Sequence, residues 1–115
     1  MKHLVITCSA LVLAWSASAG ELNGQALYQQ NCAACHGETG KGGKKDVKGP
    51  RLAGDSSKWK VSLFQRAVLE GIDDHGKPLE SAMPHWKGAS FKSDAGAAPT
   101  QEEVAAIQKY LRTVK

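Results

Sequence analysis

Cys32-Ala33-Ala34-Cys35-His36 places two thiols and an imidazole within five residues. Ahead of it, Ala26, Leu27 and Tyr28 follow Asn23, and this apolar run predicts a short helix leading into the motif. Behind it, Gly37, Gly40, Gly42, Gly43 and Gly49 are interleaved with Lys41, Lys44, Lys45 and Lys48 up to Pro50. That composition suits a loop and not the interior of an element. The reactive groups therefore sit where a helix hands over to a long loop.

Four chemistries compete for such a motif. A redox-active C-x-x-C of the thioredoxin kind needs a βαβ setting, and no alternating strand pattern is visible. A zinc site would have to recruit His75 and His85, which have nine residues between them, whereas the usual spacing is about three to five. A disulfide leaves His36 and the loops without a role. The fourth reading uses every residue: C-x-x-C-H is the attachment signature of c-type haem. Two intervening residues let both sulfurs add to the vinyl groups along one edge of a porphyrin. The adjacent histidine then turns its imidazole under the iron as the proximal ligand.

The start of the chain agrees with this. Met1-Lys2-His3 is a short basic lead, Leu4 to Trp15 is mainly apolar, and Ala17-Ser18-Ala19 offers small residues for cleavage after Ala19. Twelve residues make roughly 18 Å of helix against a hydrocarbon core of about 30 Å, too short for a span. Residues 1–19 are therefore expected to be a secretory signal peptide and residues 20–115 the functional domain. Removing the leader leaves 96 residues, a formal charge of +3 and two cysteines, Cys32 and Cys35. A chain of that size has a modest core of its own, and a large buried cofactor would add to it. Export also places the thiols in an oxidising compartment, the periplasm. The whole chain carries 15 basic and 11 acidic residues, with 42% hydrophobic residues. That argues against a disordered chain, a multi-span membrane protein and a disulfide-dense scaffold. The charge excess is small and no nucleic-acid-binding motif is present.

The remaining segments read as helices and loops. Ser56 and Ser57 are expected to cap a second helix running through Trp59 to Leu69 and ending at Gly71, with Val61, Phe64 and Val68 on one face. Asp73 to Met83 reads as irregular, and Gly88 to Pro99 as an exposed loop. Thr100 and Glu103 form a capping box ahead of Val104, Ile107 and Leu111, which repeat at i, i+3, i+7. The fold class is all-α, with long loops that must wrap or serve something.

A haem held by His36 has a second axial position. Met83, His85 and His75 are the candidates, and an open site is the fourth. Met83 stands 47 residues after His36, before Pro84, in a helix-free stretch that can lay a side chain over a flat ring. No paired acids, nucleophile triad or phosphate loop is apparent, so hydrolytic and kinase-like enzymes lack support.

Together these residues resemble the class I cytochromes c, small soluble monohaem electron carriers of bacteria. The resemblance covers nearly all of residues 20–115. It runs from Gly24 and Leu27-Tyr28 through Cys32 to Gly37, then Gly49-Pro50-Arg51-Leu52, Met83-Pro84 and the closing Glu103 to Arg112. It implies the cytochrome c fold, with the first and last helices crossing near Gly24 and with Leu27, Tyr28, Tyr110 and Leu111 at the contact. It implies one haem c bound through thioethers at Cys32 and Cys35, with His36 and Met83 as axial ligands. It further implies that the Pro50 carbonyl accepts a hydrogen bond from the proximal imidazole and that Leu52 packs on the ring. Trp59 and Trp86 are candidates to flank it. The segment from Trp86 to Pro99 is longer than in many relatives. The implied function is periplasmic one-electron transfer with no enzymatic step, and a methionine ligand raises the reduction potential. Lys41, Lys44, Lys45, Lys48, Arg51, Lys87 and Lys92 would form a basic rim that steers acidic redox partners. Three roles share this chemistry: a free carrier, an electron-accepting subunit of a dehydrogenase or oxidase complex, and a haem sensor or peroxidase with an open sixth site. The first two fit a monomer or a complex subunit without a stable membrane anchor.

Overall fold

The structure, a computed structural model, describes residues 22–44, 49–79 and 82–115. The expected leader and Lys45 and Lys48 lie outside the described residues. Four α-helices make up the frame: α1 (Gly24–Asn31), α2 (Ala33–His36), α3 (Val61–Glu70) and α4 (Gln101–Thr113). Short 3-10 turns occur at Ser56–Lys58 and Trp86–Gly88. The described residues contain one isolated bridge, Ile72 to Pro78, and no strand. The fold is all-α, as expected.

Several helix ends have a local cause. The Asn23 side chain accepts from the Ala26 amide at 3.1 Å and starts α1. Helical bonding breaks at Cys32, resumes in α2 and ends at Gly37, whose φ of 87° suits glycine. The Thr100 hydroxyl accepts from the Glu103 amide at 3.1 Å, and the Glu103 carboxylate accepts from the Thr100 amide at 2.9 Å. This is the capping box expected from the sequence, and it starts α4.

The second helix departs from expectation. Ser56 and Ser57 do not cap it. They form the 3-10 turn, and α3 begins five residues later behind Lys60, which gives no side-chain cap. Trp59 lies between the two elements. The Ser57 hydroxyl is already engaged, accepting from the Gly54 amide at 2.9 Å, which is why it cannot reach forward. Val61 is 44% exposed, so the buried face of α3 is Phe64, Ala67 and Val68. Gly88 to Pro99 is also only partly an exposed loop. Phe91 in its middle is 1% exposed and meets Trp86 edge-on, with ring centroids 4.9 Å apart.

The core joins Leu27 and Tyr28 of α1, Phe64 and Val68 of α3, Phe91, and Val104, Ile107 and Leu111 of α4. α1 and α4 cross where Gly24 meets the backbone of Ala106, so closely that a methyl carbon on Gly24 would sit 1.9 Å from the Ala106 carbonyl oxygen. Tyr28 and Tyr110 pack beside this crossing with ring centroids 5.6 Å apart.

The Tyr28 hydroxyl donates to the Gly37 carbonyl, tying α1 to the end of the motif. Burial, more than any neighbouring charge, pushes the Tyr28 phenol up to about 12. The folded state thus keeps a proton that the unfolded chain loses near its ordinary value of about 10. Stability from this group is complete below pH about 10 and is lost as pH rises toward about 12. Alkaline unfolding followed by circular dichroism should therefore be shallower for Tyr28→Phe than for wild type across that window. Equal slopes would contradict the buried-phenol assignment.

Candidate haem-binding site

A cavity of about 550 Å³ opens between α2, α3 and the loops on either side of α3. Its size is that of an ordinary cofactor site. Cys32, Cys35 and His36 form one wall together with Gly49, Pro50, Arg51 and Leu52. Trp59, Phe64, Val68 and Ile107 supply much of the apolar lining. Ala82, Met83, Pro84 and Trp86 lie along it as well.

Burial and hydrogen bonding orient the histidine. His36 is 6% exposed, and its Nδ1 lies 2.8 Å from the Pro50 carbonyl oxygen. A carbonyl can only accept, so Nδ1 is the donor, and in the neutral ring the lone pair is then on Nε2. That tautomer suits a metal ligand, and the carbonyl fixes the ring's orientation. The loop is pinned to the motif along its length. The Gly49 amide donates to the Cys35 carbonyl at 2.7 Å, and the Gly42 amide donates to the His36 carbonyl at 2.9 Å. A methyl carbon on Gly49 would lie 2.4 Å from the Cys35 carbonyl oxygen and 2.8 Å from His36 Nδ1. Glycine is thus the only residue that brings the Pro50 carbonyl within reach of the imidazole.

The thiols differ. Cys35 is exposed and Cys32 is half-buried. Burial first, and then the nearby Cys35, push the Cys32 thiol up to about 12. It therefore remains a neutral thiol at physiological pH.

The other sequence candidates separate clearly. Met83 is half-buried, packs against the core cluster and lines the cavity. His75 and His85 are exposed and do not line it. His85 lies over Gly71 instead, its ring 2.2 Å from where a methyl carbon on that glycine would be. Leu52 packs against the core and borders the cavity. Trp59 and Trp86 both line it and are half-buried. Ser56, read from the sequence as a helix cap, instead borders the cavity, with its hydroxyl buried away from the cavity's open space.

These residues fit a covalently held haem: two thiols, an imidazole held by the Pro50 carbonyl and an apolar slot. The cytochrome c family model matches residues 22–115. This chain is a cytochrome c. Its family cofactor is covalently bound haem c, and its family function is electron transfer. Among curated proteins it is 41% identical over 76 residues to dihydro-heme d1 dehydrogenase of Pseudomonas aeruginosa, covering 66% of this chain and 14% of that one. It is 33% identical over 92 residues to the fructose dehydrogenase cytochrome subunit of Gluconobacter japonicus, covering 77% of this chain and 18% of that one. The chain thus spans less than a fifth of either relative. Among solved structures, c-type cytochrome XoxG from Methylobacterium extorquens AM1 shares the fold, with a TM-score of 0.52 at 18% identity, over 80% of this chain and 48% of that one.

Proposed function

We propose that this cytochrome c is an exported one-electron carrier whose haem is attached at Cys32 and Cys35 and ligated by His36 and Met83. The observation that carries this reading is the 2.8 Å contact between His36 Nδ1 and the Pro50 carbonyl, beside a cavity that Met83 also lines. The haem supplies an iron that alternates between ferric and ferrous states. Everything else falls to the chain. His36 presents Nε2, and Met83 presents a thioether that favours the reduced form. Phe64, Val68 and Ile107 exclude water from the slot and so disfavour added charge. With His36 and Met83 both holding the iron, no ligand position would be left for a substrate.

The finer features follow from the sequence. Residues 1–19 act as the leader and deliver the protein to the periplasm. None of the described helices is long and apolar enough to cross a membrane. Lys41, Lys44, Arg51, Lys87 and Lys92 are exposed and give the docking face its positive charge. Lys87 faces Glu70 at 3.9 Å, an exposed pair of little energetic weight, so its charge still serves long-range steering. The partners are redox proteins with acidic faces. The two curated relatives, a dehydrogenase and a dehydrogenase cytochrome subunit, favour a second form of this reading, in which the chain accepts electrons within such a complex. Co-purification with a large partner at physiological salt distinguishes the two forms.

Met83→Ala tests the ligand set. The ferric wild-type spectrum should contain the iron–sulfur charge-transfer band, and the variant should lack it. The reduced variant should also bind carbon monoxide at neutral pH while wild type does not. Persistence of the band in the variant would refute Met83 as the ligand, and ready carbon monoxide binding by wild type would favour a sensor or peroxidase.

A further inference from the structure

The segment from Trp86 to Pro99 is closed on itself and pinned at two points. The Ser90 hydroxyl donates to the Phe91 carbonyl at 3.0 Å and accepts from the Gly96 amide at 3.1 Å. The Asp94 amide donates to the Phe91 carbonyl at 3.0 Å, and the Ala97 amide donates to the Asp94 carbonyl at 2.9 Å. From this compact turn Phe91 enters the core, where its ring meets Trp86 edge-on. Beside it, the Lys92 amide donates to Asn31 Oδ1 at 3.0 Å, while Asn31 Nδ2 donates to the Leu27 carbonyl at 2.9 Å. Asn31 immediately precedes Cys32, and both line the cavity. Trp86 lines it too, three residues after Met83. A plain connector needs neither a buried ring nor an asparagine with both ends of its amide engaged. The contacts therefore bridge the attachment motif to the methionine. Three residues reach at most about 10 Å, so a fixed Trp86 limits how far the thioether can move. A methionine ligand raises the reduction potential because it binds reduced iron more tightly than oxidised iron. The oxidised protein is thus where the thioether most needs the chain to hold it.

We propose that Asn31 and Phe91 are positioning residues that hold Trp86 beside Met83, so that residues 86–92 strap the thioether in place in the oxidised protein. This rests on the haem site proposed above. Departure of the thioether requires the strap to loosen, and each contact that breaks with it makes the open state rarer. A competing ligand then binds with its own affinity scaled down by the small open fraction. Loss of one strap contact raises that fraction, and the apparent affinity rises with it.

The test is an imidazole titration of the ferric holoprotein, read by loss of the iron–sulfur charge-transfer band, with haem content measured first. Asn31→Ala removes the acceptor for the Lys92 amide. It should bind imidazole about fivefold more tightly than wild type, the weight of one ordinary net hydrogen bond. Phe91→Leu keeps the position apolar but loses the ring edge against Trp86, and it should shift in the same direction by a similar factor. Asn31→Asp keeps an oxygen for the Lys92 amide and should restore wild-type affinity. Hydrogen exchange at the Lys92 amide should quicken in Asn31→Ala and not in Asn31→Asp. Asn23→Ala removes the α1 cap, so it lowers stability by a comparable amount away from the strap and should leave imidazole affinity unchanged. If Asn31 and Phe91 only stabilise the fold, these variants melt earlier and none tightens imidazole binding. That result would overturn the proposal, as would equal tightening in Asn23→Ala. A wild-type ferric spectrum without the charge-transfer band would overturn the methionine reading and the proposal with it.

Discussion

Gly24→Ala should lower the melting temperature by about 10 °C or more. The added methyl carbon would lie 1.9 Å from the Ala106 carbonyl oxygen and 2.5 Å from its carbon. Both are backbone atoms inside α4, so no rotamer change relieves the clash. The helices must separate, which loosens Leu27, Tyr28, Ile107 and Leu111. Overpacking of this kind costs about 3 kcal/mol. Alanine returns about 1 kcal/mol through its better helical preference. The net loss of about 2 kcal/mol corresponds to about 10 °C in a domain of this size. Gly88→Ala is the control, since nothing lies within 4 Å of a methyl carbon there. Thermal unfolding of the two variants side by side decides the matter. A Gly24→Ala protein that melts with wild type would refute the close crossing of α1 and α4.

Gly49→Ala should damage the haem site more than its distance from the iron suggests. Its methyl carbon would meet the Cys35 carbonyl oxygen at 2.4 Å and His36 Nδ1 at 2.8 Å. The loop must retreat, and two bonds weaken together: Gly49 amide to Cys35 carbonyl, and His36 Nδ1 to Pro50 carbonyl. Loss of the partner that orients a ligating imidazole typically costs about 10–100-fold in metal affinity or activity. The expected result is less haem per purified polypeptide, a lower denaturant midpoint and a displaced potential. Pro50→Ala separates the causes because it keeps the accepting carbonyl. It should retain the imidazole bond and stay close to wild type in potential. Gly49→Ala protein with full haem content and an unchanged potential would show that the imidazole does not depend on this loop.

Local signals in the chain foretold local structure well. The Asn23 cap, the Thr100–Glu103 box and the i, i+3, i+7 pattern of Val104, Ile107 and Leu111 act within a few residues, and the structure contains each of them. The attachment motif is equally local. Part of what escaped reading depends on partners far along the chain. Ser56 and Ser57 look like caps, yet α4 captures the carbonyls of their turn from 52 and 55 residues away. Phe91 looked like part of an exposed loop because its edge-on partner, Trp86, lies outside any helical period. Val61 fitted the apolar stripe of α3 but sits on its first turn, where the helix has left the core. The Gly24 crossing and the Pro50 contact were legible through resemblance to a known family, because no spacing rule connects Gly24 to Ala106 or His36 to Pro50.

Mass analysis of the exported, purified protein, paired with a pyridine haemochrome spectrum, tests the central claim most directly. The account predicts a red protein whose mass exceeds the polypeptide by one haem, with neither Cys32 nor Cys35 open to alkylation. A colourless polypeptide whose two sulfurs alkylate freely, or alkylate only after reduction of a bond between them, would contradict it.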